Sequence, residues 1–99
     1  MYDIQFTKQA QKDAVNVERA GLKPKAAEII RTIRSNPYEE SQDFEMLKYE
    51  LKGTCSRRII RQHRFVYEVL QNTEGLKDAN DELYGGIIKV ISMWTHYHE

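Results

Sequence analysis

Apolar positions along the chain recur with two different periods, and the switches between them mark the elements. In YDIQF, Ile4 and Phe6 fall on one side of a short alternating run, which predicts a first strand. From Thr7 to Ala20 the period lengthens: Ala10, Ala14 and Val17 recur at helical spacing, and Gly21 supplies the stop. KPKAAEIIRTIRSNP predicts a second helix, with Pro24 in the first turn, where its missing N–H costs nothing. Ala26, Ile29, Ile30 and Ile33 then share one side. Pro37 closes this helix, and a polar link runs through Phe44.

The two-residue period then returns. In MLKYELKG, Leu47, Tyr49 and Leu51 alternate with Lys48, Glu50 and Lys52, as in a half-buried strand, and Gly53 turns the chain. CSRRII and HRFVYEVL continue the alternation: Phe65, Tyr67 and Val69 point one way, Arg64, Val66 and Glu68 the other. GIIKVISMWTH is apolar on both faces, which predicts a central strand. Before it lies a long acidic connection from Gln71 to Gly86, where a short helix is expected around Asp78 to Tyr84. The sum is an α+β fold, two N-terminal helices packed on one face of a mostly antiparallel, twisted β-sheet.

A length of 99 residues suits one domain, 1–99, with one modest core. Charge changes the picture more than length does. The chain holds 15 Lys and Arg against 15 Asp and Glu, so it is no general nucleic-acid coat, and what matters is where the charge lies. Between Met46 and Tyr67 the only acid is Glu50, against Lys48, Lys52, Arg57, Arg58, Arg61 and Arg64. The carboxylates gather at Glu39, Glu40 and Asp43, and again at Glu74, Asp78, Asp81 and Glu82, which predicts a polarised molecule.

Cys55 is the only cysteine, so neither an internal disulfide nor a cysteine-based zinc cage is expected. No apolar run is long enough to cross a bilayer and the start carries no apolar leader core, so the expectation is a cytoplasmic protein without a membrane partner. His96 and His98 stand two apart without carboxylate or thiolate company, which makes a poor metal site.

Lys48, Arg58 and Arg64 fall on the face opposite the apolar alternation, so cations from three neighbouring strands could converge on an open surface suited to phosphate. The plain alternative is a set of solvated charges on the uncovered side of a sheet. The surrounding residues bear on that choice. LKYELKGTCSRRIIRQHRFVYEV, with THY near the end, resembles the YoeB/Txe toxins of the RelE superfamily, bacterial type II toxin–antitoxin ribonucleases. The likeness runs over nearly the whole chain, and the ordered combination of a leucine-lysine pair, a glycine, SRRI and HR-VY carries it.

That resemblance implies a RelE-like fold and a metal-independent, cofactor-free endoribonuclease, an mRNA interferase acting on mRNA in the ribosomal decoding site. It implies Glu45 as general base, Arg64 as the group stabilising charge on the phosphate, and His96 as general acid. Lys48 and Arg58 would contact phosphate, His63 matches the histidine of HR-VY among the substrate contacts, and Tyr97 would position or stack the substrate. Cleavage by the RNA's own 2′-hydroxyl needs such a set: a base on one side of phosphorus, an acid on the departing 5′-oxygen, and cations between. Implied partners are a cognate YefM/Axe-like antitoxin covering the basic face, the ribosome with its mRNA, and a second copy of the chain as a homodimer.

Each residue also has a plainer role open to it. Glu45 could belong to the acidic link, Trp94 and Tyr97 could complete a core rather than stack on bases, and Glu68 could be an ion-pair partner or an orienter of Arg64. Cys55 stands where these toxins often carry tryptophan, Trp94 where a polar or basic residue is common, and the 71–86 connection replaces a tight turn. Two other function classes share the pattern: a superfamily relative that poisons DNA gyrase without cutting RNA, and an RNA-binding module in which Arg57 to Arg64 grip without turnover.

Overall fold

A computed structural model of the chain describes residues 1–47 and 53–94. The first strand, β1 (Tyr2–Phe6), leads directly into helix α1 (Lys8–Arg19). Thr7 caps that helix by accepting a hydrogen bond from the Ala10 N–H. The same hydroxyl donates to the Ile91 carbonyl at 3.0 Å. Gly21, at φ +75°, ends the helix. The bonds from Leu22 N–H to Val17 and from Gly21 N–H to Glu18 form the reciprocal pair that a left-handed glycine permits. Helix α2 (Lys23–Ser35) follows at once, with Pro24 in its first turn.

Five strands form one sheet in the order β1-β5-β4-β3-β2. The others are β2 (Glu45–Met46), β3 (Thr54–Ile60), β4 (His63–Leu70) and β5 (Gly86–Ser92). β1 runs parallel to β5, and the remaining neighbours are antiparallel. The apolar-on-both-faces segment is thus central, as its sequence requires. The helices cover one face, where Ala10, Val17, Ile29 and Ile33 meet Ile59, Phe65, Tyr67, Ile88 and Val90 in one buried cluster. Among the described residues no helix is long and apolar enough to cross a membrane.

Three expectations change. The strand expected from Met46 onward begins at Glu45, which lies in β2 rather than ahead of it, and residues 48–52 fall outside the described residues. The 71–86 connection contains no helix. Its turns are held by Asn72, whose amide donates to the Leu76 and Tyr84 carbonyls, and by the Asp78 carboxylate, which accepts from the Asn80 and Glu82 N–H groups. Asp81 at φ +64° is incompatible with a continuing right-handed helix. Cys55 faces the core, fully buried opposite Tyr67, so the position where the resemblance leads one to expect tryptophan lies away from the open face. Burial pushes its thiol pKa up.

Candidate functional site

Alternation along β3 and β4 sends Thr54, Ser56, Arg58, Arg64, Val66 and Glu68 to the face the helices leave uncovered. Register places these groups. Arg58 lies opposite Arg64, and Ser56 opposite Val66 on one side and Glu45 on the other. Two guanidinium groups on directly facing positions repel unless something anionic or dipolar lies between them. Asp43 supplies both. Its carboxylate pairs with Arg58 Nε at 2.8 Å, and its main-chain carbonyl accepts from Arg64 Nη2. Arg64 is further fixed by Nε donating to Ser56 Oγ at 2.8 Å. Ser56 is buried, so this anchor is rigid. Glu45, exposed on β2, therefore stands beside the serine that orients Arg64.

The loop that delivers Asp43 and Glu45 is built around a buried cation. Arg57 lies on the core side of β3 with 0% exposure, which corrects its expected place in the basic surface. Its Nε donates to Tyr67 Oη at 3.0 Å, Nη1 to the Ser41 carbonyl at 2.9 Å, and Nη2 to the Glu39 and Pro37 carbonyls at 2.7 and 3.2 Å. The guanidinium also sits over the Phe44 ring, 4.8 Å from its centroid. Tyr67 Oη in turn donates to the Pro37 carbonyl. Burial pushes the Tyr67 phenol up to about 12, against the opposing influence of Arg57. Gln42 and Asp43 adopt left-handed backbone at φ 55° and 53°, which turns the Gln42 carbonyl onto the Arg58 N–H at 2.8 Å. The loop thus follows the edge of β3 and enters β2 with Glu45 on the open face.

His63 departs from its expected role at the surface. It is buried, on the same side of β4 as Phe65 and Tyr67, and its ring stacks on Trp94 with centroids 3.8 Å apart. This placement makes it a support for Trp94 and not an exposed phosphate contact. Glu68 shares the open face but faces Thr54 and Lys89 across the sheet. Among the described residues the ion pairs are Lys23–Glu18, Arg58–Asp43 and Lys77–Asp81, so Arg64 is oriented by Ser56 and Asp43 and not by Glu68. Lys48, His96 and Tyr97 lie outside the described residues.

Sequence reasoning grouped Asp43 with the carboxylates remote from the arginines, and it passed over Ser56 and Asp13. Asp13 had a legible signal: with Ala10 and Val17 it lies at helical spacing on the apolar side of α1, where an acid must find partners.

Two helices on one face of a mixed sheet, with arginines and a glutamate on the other, define a small RelE-like toxin fold. A family model for the YoeB-like toxin of bacterial type II toxin-antitoxin systems matches residues 6–97, and the chain belongs to that family. It is similar to the solved YoeB/ParE toxin from Agrobacterium tumefaciens, with a TM-score of 0.77, 28% identity, and 96% of this chain and 99% of that one covered. It is also similar to the toxin in the heterotetrameric YoeB-YefM toxin-antitoxin complex from Staphylococcus aureus, with a TM-score of 0.70, 30% identity, and coverage of 98% and 99%. Toxin YoeB of Escherichia coli O6:H1 is 43% identical over 49 residues, 50% of this chain, and the chain spans 58% of the length of that curated relative.

Proposed function

We propose that this protein is the toxin of a type II toxin–antitoxin pair and acts as a ribosome-dependent mRNA endoribonuclease on its open sheet face. The observation that carries the reading is Arg64, held by Ser56 and Asp43 beside Glu45 and Arg58 on adjacent strands. Glu45 takes the 2′-hydroxyl proton as that oxygen attacks phosphorus. Arg64 stabilises the extra negative charge of the pentavalent phosphate, while Arg58 and Lys48 hold the phosphate backbone. The bond to the 5′-oxygen breaks, and His96 gives that oxygen its proton. The reaction needs one ionised carboxylate as base and one protonated imidazole as acid. Tyr97 positions the substrate. The partners are the ribosome with its mRNA, a YefM/Axe-like antitoxin masking the basic face, and a second copy of the chain. The place of action is the cytoplasm.

Fragment ends test the reaction. The upstream product should carry a 2′,3′-cyclic phosphate and the downstream one a 5′-hydroxyl, and a message with a 2′-deoxy residue at the cut site should be inert. A 5′-phosphate, or normal cutting of the 2′-deoxy message, would sink the mechanism. Growth arrest with intact mRNA would favour the gyrase alternative.

A further inference from the structure

Helix α1, with its capping threonine, and strand β5 are tied together at two points, Thr7 and Asp13, six residues apart. At the first, Thr7 donates its N–H to the Val90 carbonyl at 3.1 Å and its hydroxyl to that of Ile91. At the second, Asp13, with 0% exposure, accepts at one carboxylate oxygen from the Met93 N–H at 2.9 Å and the Trp94 N–H at 3.3 Å. Gln9 Nε2 donates to its other oxygen at 2.9 Å, so the carboxylate is itself held in place. A buried charge satisfied in this way is costly to form and sharply positioned once formed. It grips the main chain where β5 has ended, 80 residues away in sequence. Trp94 is clamped a second time by its stack on His63.

The next residues are Thr95, His96 and Tyr97. We infer that Asp13 is a positioning residue for the terminal segment, fixing the direction in which the chain leaves Trp94 and so where His96 stands relative to Arg64 and Glu45. The inference rests on the reading of His96 as the general acid. A stabilising core contact alone would not favour one step of the reaction. A positioning contact should fail selectively at leaving-group protonation, since a shift of about 1 Å is enough to cost on the order of a hundredfold.

The test uses the full chain and ribosomes programmed with either of two messages, one with the ordinary 5′-oxygen at the cut site and one with sulfur in its place. A thiolate departs without needing a proton. At saturating ribosome, Asp13→Ala should cut the oxygen message about thirtyfold to a hundredfold more slowly than wild type, yet cut the sulfur message within about threefold of it. Glu45→Ala should be slow on both. Asp13→Asn keeps an acceptor oxygen without the charge and should lose about fivefold on oxygen and nothing on sulfur, which preserves the test if the alanine variant fails to fold. Acrylamide quenching of Trp94, the only tryptophan, should rise in the Asp13 variants that lose rate and stay at the wild-type level in Glu45→Ala. An Asp13 variant slowed equally on both messages, or one as fast as wild type on the oxygen message, overturns the inference while leaving the reading of the site intact if His96→Ala is rescued by sulfur. A His96→Ala that gains nothing from sulfur overturns both.

Discussion

Arg57 donates from all three guanidinium nitrogens to groups inside the protein, whereas Arg58, one residue on, carries its guanidinium on the opposite face, half exposed, with the Asp43 carboxylate. The two occur in one dipeptide and on one strand. Parity alone assigns them to different sides, and their surroundings then give them different work. Arg57 has exchanged water for carbonyl dipoles, a phenol and an aromatic face, and it stiffens the loop that carries Asp43 to Arg58 and Glu45 to the open face. Arg58 keeps access to solvent and to any anion that arrives. A basic run in a neutral chain is therefore two structures back to back, a buried brace and a binding surface.

The largest effect that could break this comparison is on stability. Arg57→Met removes at one stroke the charged donor shared by the Pro37, Glu39 and Ser41 carbonyls and the Tyr67 hydroxyl, and the loss of several buried charge-assisted hydrogen bonds costs about 3–5 kcal/mol. That is a large part of the roughly 5–15 kcal/mol a small domain possesses. Arg58→Ala removes a half-exposed ion pair and should cost no more than about 1 kcal/mol. Urea titrations of the two variants should separate widely. Equal midpoints would mean that Arg57 is no brace.

How much of this was legible follows the range of the interactions. Helix ends at Gly21 and Pro24, the strand alternation of HRFVYEVL and the central place of GIIKVIS are local signals, and the fold obeys them. The core side of Arg57 follows from strand parity, but the partners that make its burial tolerable do not: most lie between Pro37 and Phe44, and nothing in SRRI distinguishes a cation bound to carbonyls from one in water. His63 stands among the substrate contacts only through the resemblance of HR-VY, yet the side it shares with Phe65 and Tyr67 is readable from the alternation of its own strand. The 71–86 segment misled for a third reason: its composition permits a helix, while the Asn72 amide and the Asp78 carboxylate hold turns in its place.

A smaller effect sharpens the core side of the comparison through pH. The folded chain holds the Tyr67 proton more tightly than the unfolded chain does, since burial raises this phenol from 10.0 to about 12. The stability tied to that proton is complete below pH 10 and is lost as pH rises toward 12, by at most about 3 kcal/mol. The buried Cys55 thiol, also pushed up, acts in the same direction from lower pH. Wild type should therefore lose stability in urea titrations between about pH 9 and pH 12. Tyr67→Phe should be less stable at neutral pH, by about 1–3 kcal/mol for the lost bonds to Arg57 and Pro37, and flatter across the alkaline range. An unchanged slope in the phenylalanine variant would place the alkaline loss on other groups.

The smallest effect lies on the open face, where Asp43 uses two groups for two arginines. Its carboxylate neutralises Arg58, while its carbonyl, which no side-chain substitution removes, holds Arg64. An incoming phosphate must compete with that carboxylate for Arg58. Asparagine tolerates the φ of 53° at this position, so Asp43→Asn should keep the loop and release one cation to the ligand. Because the ion pair is half exposed, the gain is bounded at about 1 kcal/mol, or roughly fivefold in affinity for a 2′-O-methyl RNA that cannot be cut. One added phosphate contact should also steepen the dependence of log K on log salt by about 0.7 for a single strand. The single-turnover rate at saturation should not move, because Arg64 keeps its main-chain acceptor and its bond to Ser56. Unchanged affinity and salt slope would mean that Arg58 does not face the ligand, and a lower saturated rate would mean that the carboxylate, and not only the carbonyl, orients Arg64.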